Sequence, residues 1–195
     1  MLENLEEALS ALDEKDISRL ALTNAETLWI TFRDVYRKEY RGNAAQIDKS
    51  LDEAWSVSNT GNITDTERLE LAVKEEIPDM DDYSDIFETE WRSALASAAQ
   101  NAVISVWQAI SSLHSGAISK AMETATITDN TIDLLINTRQ SIDKGDDFDY
   151  DDEYVQQHQL MQEELKRQSD AIAAIKSGET ELRAKFVHPL RLDRL

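Results

Sequence analysis

The side chains that could do chemistry are few in kind and poorly arranged for it. The three histidines, His114, His158 and His188, stand far apart, and none belongs to an HExxH pair or another metal-spaced set. Asp147, Asp149 and Asp151 alternate like the start of a calcium loop, whose hard cation needs carboxylate oxygens. The pattern then breaks, because Asp152 stands where the sharp turn requires glycine and His158 stands where a bidentate glutamate is required. Carboxylates are too numerous for any pair to mark acid and base catalysis, and no nucleophile elbow, phosphate-cradling glycine loop or dinucleotide fingerprint is present. The expectation is a protein without catalytic residues, bound metal or cofactor.

Charge is the more informative signal. The formal net charge is −19, and nearly all of it falls in three windows: −5 over residues 1–16, −7 over 74–90 and −6 over 143–153. Such clusters create local negative potential that repels nucleic acid and anionic membrane and steers a basic protein inward. Solubility alone is the competing explanation. In the last window Phe148 and Tyr150 interleave directly with acids, and Tyr154 follows it. Aromatics beside carboxylates suit a surface that grips a cationic partner, although they could equally anchor the loop to the helices beneath. The contact candidates are Asp79, Asp81, Asp82, Tyr83 and Asp85 in one segment. In the other they are Asp146, Asp147, Phe148, Asp149, Tyr150, Asp151 and Asp152.

These segments must be held by helices. The chain has 195 residues, no cysteine, five glycines and two prolines, which suits one domain over 1–195 built from long helices in a reducing, cytoplasmic setting. The N-terminus has acids where a secretory signal would be basic. Apolar residues recur at helical steps from Leu2 to Leu12, then from Ile17 to Tyr36 behind Asp16 as N-cap, with a stop near Gly42. Asn43 caps a helix that buries Ile47, Leu51 and Trp55; Ser58 to Asn62 is a loop; Thr64 and Glu67 have capping-box spacing before a helix ending ahead of Pro78.

A long helix is expected at about residues 86–113. Between Ala94 and Leu113 it has no charged face, so it belongs at the centre of a bundle. The uncharged stretch from Ser93 to Ser119 contains too many serines, glutamines and asparagines for a membrane span. Gly116 separates it from a further helix that has weak helix formers at Asp129 and Asn130, where a kink could form. A last long helix carries Tyr154, His158, Met161, Leu165, Ile172 and Ile175 on one stripe, with Glu163, Glu164, Lys166 and Arg167 on a solvated face. The four tryptophans fall within helical patterns and read as core, and the basic tail from Arg183 to Arg194 is placed to fold back over acidic surface. The fold class is therefore all-α, a single-domain multi-helix bundle around a small-residue-rich helix.

The segments EEIPDMDDYSDIF (75–87), AMETATIT (121–128), Leu51 to Trp55, the small-residue helix and EELKRQSDAIAAI (163–175) together resemble the YjaG-like bacterial family of unknown function. The resemblance implies a helical fold and says little about activity; the closing KSGETELRAKFVHPLRLDRL departs from it. The functional expectation rests on charge instead. It is an immunity-type protein that neutralises a basic toxin, such as a nuclease, through acidic loops. The alternative is a cytosolic helical protein that binds a small ligand or a cellular partner.

Overall fold

Three long helices carry the architecture, each from a stretch of sequence with few helix breakers. The computed structural model describes residues 5–61, 65–79, 89–145 and 148–195. Among the described residues there are nine α-helices and no strand, so the chain is an all-α multi-helix bundle. In chain order they are α1 (Leu5–Ser10), α2 (Glu14–Glu39), α3 (Ala44–Thr60), α4 (Thr66–Lys74), α5 (Glu90–Ser111), α6 (Ala117–Lys144), α7 (Asp152–Gln157), α8 (Gln159–Lys176) and α9 (Leu182–Phe186). A 3-10 turn at Leu192–Arg194 closes the chain.

Helices α2, α5 and α6 pack on one another; α3 and α4 lie against α2 and α5, while α8 and α9 cover α2 from another side. The small-residue helix is present as α5. Thr89 caps it by accepting from the Arg92 amide at 3.2 Å, which sets its start at Glu90, four residues inside the range expected to open at 86. Ala94, Ala98, Ala99, Ala102, Val106 and Ala109 are all buried. Side chains this small let the neighbouring axes approach toward the lower limit of helix spacing, about 8 Å. The centre is not α5 alone, however. Every residue of α2 from Ile17 to Trp29 is buried, including Arg19, Asn24 and Glu26. A helix enclosed all round must satisfy its polar side chains internally, since an unpaired buried charge is costly.

Several boundaries fall where local chemistry differs from first appearance. Asp13, not Asp16, caps α2: its carboxylate accepts from the Asp16 amide at 2.8 Å. Asn43 caps α3 as expected, but α3 runs on through Ser58 to Thr60, and Gly61 ends it at φ 73, where a side chain would be strained. At α4 the N-cap is Asp65, and Thr64 lies outside the described residues. Helix α6 passes unbroken through Asp129 and Asn130, whose weak propensity is overridden by packing. The expected last helix is two helices, because His158 takes ψ 136 between α7 and α8 and its ring Nδ1 accepts from the Leu160 amide at 3.3 Å. Histidine thus serves here as a cap.

One core cluster gathers residues from α1 to α9, with Trp29, Phe32 and Tyr36 among its largest members. Trp29 and Trp55 are core, whereas Trp91 and Trp107 are only half-buried. A smaller cluster of Ile132, Ile136, Val155, Leu160 and Met161 seats α7 and the start of α8 on α6. No helix among the described residues is long and apolar enough to cross a membrane.

Candidate functional site

The acidic segment between α6 and α7 is the site that can be built from the residues upward. Helix α6 stops at Gly145, and the Phe148 amide donates back to the Gly145 carbonyl at 3.0 Å. Asp151 then caps α7 by accepting from the Tyr154 amide at 3.1 Å. Asp152 and Glu153 in the first turn complement the positive end of the helix, so this acidic run favours the helix start it precedes. Capping also fixes where the aromatics go. Phe148 is half-buried and lines an open pocket of about 350 Å³ between α5 and α6 with Ser93, Ser97 and Leu134. Tyr150 and Tyr154 turn outward, 52% and 43% exposed. Phe148 is thus more covered than the two tyrosines.

The electrostatics around the tyrosines are those of a carboxylate-rich face. Hydrogen bonding to Asp152, with lesser contributions from burial and from the charge of Asp133, pushes the Tyr150 phenol up to about 12, so it remains a neutral donor. Its hydroxyl lies 3.5 Å from Asp133 Oδ2. Burial, aided by the negative charge of Asp152, raises the Asp133 carboxyl above its ordinary value. The Lys144 ammonium lies 5.9 Å from the centre of the Tyr154 ring, which shows that this ring already accommodates a cation. Asp149, Asp151, Asp152 and Glu153 are all exposed.

Of the expected contact residues, Asp81, Asp82, Tyr83, Asp85, Asp146 and Asp147 lie outside the described residues. Asp79 is exposed just beyond α4. Its neighbour Pro78 accepts from Gln100 Nε2 at 2.9 Å, and Ser93, Ser97 and Gln100 form one i, i+4, i+7 stripe along α5. The Asp79 and Phe148 segments therefore attach to the same face of α5, about 10 Å apart along its axis.

A buried polar clasp was not expected. Glu164, read as solvated, is 2% exposed. Arg167 donates to both its oxygens, at 2.5 and 2.7 Å, and to Asn24 Oδ1 of α2 at 2.8 Å. Gln168 donates to Glu164 at 2.9 Å and to Asp129 of α6 at 3.2 Å. Burial first, and then the charge of Glu164, push the Asp129 carboxyl up. A signal did exist: Met161, Glu164, Gln168, Ala171 and Ile175 follow three- and four-residue steps, so Glu164 shares the buried stripe. Nearby, Arg183 of α9 donates to Glu26 at 2.6 Å and to Asp52 at 2.6 Å, while Trp55 Nε1 donates to Glu26 at 2.7 Å. The basic tail does fold back over acids, and the acids it reaches include a buried one.

A second polar group surrounds Trp107. Glu70 accepts from Trp107 Nε1 at 2.9 Å and lies 2.8 Å from His114 Nε2. Burial pushes the Glu70 carboxyl up, but hydrogen bonds from Ser111, His114 and Trp107 outweigh it and leave the group below its ordinary value. Among the described residues no cluster of histidines and carboxylates has the arrangement to hold a metal ion.

Comparison with known proteins shows which family has this fold. A family model described as "Protein of unknown function (DUF416)" matches residues 4–193. The chain is similar to the crystal structure of a DUF416 family protein from Shewanella baltica OS155, with a TM-score of 0.71, 16% identity, and coverage of 97% of this chain and 92% of that one. At that identity the likeness shows the fold alone. No curated protein matches. The resemblance to a YjaG-like family is corrected by these findings, neither of which indicates such a family. The features behind it, an acidic turn ahead of a small-residue helix, are what helix capping and close helix packing require in many bundles. From residue 4 to residue 193 the chain matches the family model, and it belongs to the DUF416 family of proteins of unknown function.

Proposed function

We propose that this protein binds a basic protein partner through the face carrying Tyr150 and Tyr154, and that it acts as an immunity-type protein neutralising a basic toxin such as a nuclease. The observation that carries the reading is the outward display of two tyrosines amid exposed Asp149, Asp151, Asp152 and Glu153, with the more covered Phe148 beside them. Tyrosine supplies large, rigid contact area with a polar tip, and carboxylates around it complement the lysines and arginines with which a nuclease holds phosphate. Asp79, exposed beside the Pro78 whose carbonyl accepts from Gln100 of α5, adds one further carboxylate.

Steering by such a field raises the association rate and makes it sensitive to salt. Covering the cationic groove of the toxin blocks its substrate without any chemistry by the inhibitor. Co-expression with toxin domains encoded beside its gene tests the reading. Growth rescue by the wild type, lost in Tyr150→Ala/Tyr154→Ala with the protein still folded, is the expected outcome. If no neighbouring reading frame is toxic, the immunity role fails.

A further inference from the structure

Residues 179–195 run back along α2 and α8, and they are fastened unevenly. The first half is clamped. Arg19 donates to the Glu179 carbonyl at 3.4 Å and to that of Thr180, and Leu182 is fully buried. Arg183 reaches Glu26 and Asp52, each at 2.6 Å, and lies 5.9 Å from the centre of the Trp55 ring. Where α9 ends, Arg167 donates to the Phe186 carbonyl at 3.4 Å.

Residues 187–195 are held differently. Among the described residues their one backbone hydrogen bond to the long helices runs from the Leu190 amide to Thr31 Oγ1 at 2.9 Å. The Leu192, Arg194 and Leu195 amides donate to carbonyls within the segment, Arg191 pairs with Asp193 at 3.0 Å, and Pro189 has no amide to satisfy. Arg194 reaches α8, at 3.3 Å from Gln159 and 3.9 Å from Glu163. Lifting the segment off therefore breaks few hydrogen bonds, and what holds it is apolar contact. Leu190, Leu192 and Leu195, each half-buried, pack on the cluster that seats α7 and α8 on α6, while Arg191, Asp193 and Arg194 stay exposed. Leu195 also lines a cavity of about 230 Å³ with Ile136, Tyr154 and His158. No residue from 187 to 195 is fully buried, which puts this segment at the low end of local stability.

We propose that residues 187–195 are a displaceable strap, occupying in cis a groove on α6, α7 and α8 that binds a leucine- and arginine-bearing segment of another protein. The strap is the template for that occupant. Leucines spaced by two and three residues enter the apolar cluster, as anchors of a docked peptide do, and the arginines between them meet a chain of net charge −19. An acidic segment would meet like charge. Because a released strap returns at an effective concentration of about 1 mM, it sets the affinity a partner must exceed. The groove borders Tyr154 but is tested without any toxin, so failure of the immunity role leaves it standing.

The test uses the full chain and a fluorescent peptide with the sequence of residues 186–195, FVHPLRLDRL. Leu190→Ser/Leu192→Ser in the chain loosens the strap and leaves the groove whole. This variant is expected to bind the peptide with a Kd below about 0.1 mM, and the wild type, whose own strap competes, about tenfold more weakly. The same two replacements in the peptide should abolish binding. In the wild type the Leu190 amide should exchange its hydrogen about a hundredfold faster, or more, than the α2 amides near Leu28, because the strap opens without global unfolding. If the variant does not fold, that exchange rate decides alone. Equal affinity of the two chains, no binding by a folded variant, indifference to the replacements in the peptide, or Leu190 exchange as slow as that of α2 would overturn the proposal. A wild type that is dimeric at micromolar concentration would make a second copy's strap the occupant and overturn the assignment to another protein.

Discussion

The clasp under α2 and the face at residues 148–154 are made of similar acids with opposite fates. Glu164 is sealed and held by Arg167, Gln168 and, through Arg167, Asn24; Glu26 is held by Arg183 and Trp55. Asp149, Asp151, Asp152 and Glu153 stay in solvent around two displayed tyrosines. Buried ion pairs draw acids from regions where the sequence balances them with cations. The acids left over, in stretches where cations are scarce, supply the surface field. Charge counting along the chain misses the clasp, because neutral stretches hide paired charges.

The comparison breaks most easily at the clasp. Arg167→Ala leaves Glu164 buried with its principal cation gone, and a loss of about 3–5 kcal/mol in urea unfolding is expected; a loss below about 1 kcal/mol would mean that the pair is solvated after all. Arg183→Ala should cost less, about 1–2 kcal/mol, because Arg183 is 40% exposed and Trp55 still donates to Glu26.

The pH dependence sharpens the contrast. Burial holds the folded-state carboxyl of Asp129 above its ordinary value of 3.8, so the native state loses stability as pH rises through that value and the charge forms. Asp129→Asn should therefore match or exceed the wild type by about 1 kcal/mol at pH 7, with the difference vanishing at lower pH once the wild-type group is protonated. Glu39 has the opposite sign: the Arg92 hydrogen bond lowers its carboxyl below 4.5, so its contribution is present above that value and is lost as pH falls through the folded-state value. The stability gap between the wild type and Glu39→Gln should narrow in the same acid range, as urea unfolding at a series of pH values will reveal. The smallest effect belongs to the exposed face, where Asp149→Asn with Asp152→Asn should change stability by less than about 0.5 kcal/mol.

Much of the scaffold was legible because it follows from periodicity and punctuation. Asn43, Gly116 and the alanine-rich stripe of α5 do what their types dictate. Asp13 and Asp16 compete for one cap, and only backbone geometry decides between them. His158 sits on an apolar stripe, yet its backbone breaks that stripe into two helices. Within the acidic segment, composition could not separate half-buried Phe148 from exposed Tyr150 and Tyr154, since how far each ring is covered depends on the pocket between α5 and α6. A cavity at the start of α6 joins residues 14–18, 57–61 and 112–117, which no local spacing could connect.

The most direct measurement is the affinity of the full chain for a toxic basic protein encoded beside its gene, taken at low and physiological salt for the wild type and for Tyr150→Ala/Tyr154→Ala. A docking face predicts tight, salt-weakened binding that falls about a hundredfold or more in the double variant while its unfolding curve stays in place. Equal affinities for the two proteins, at either salt concentration, would contradict it.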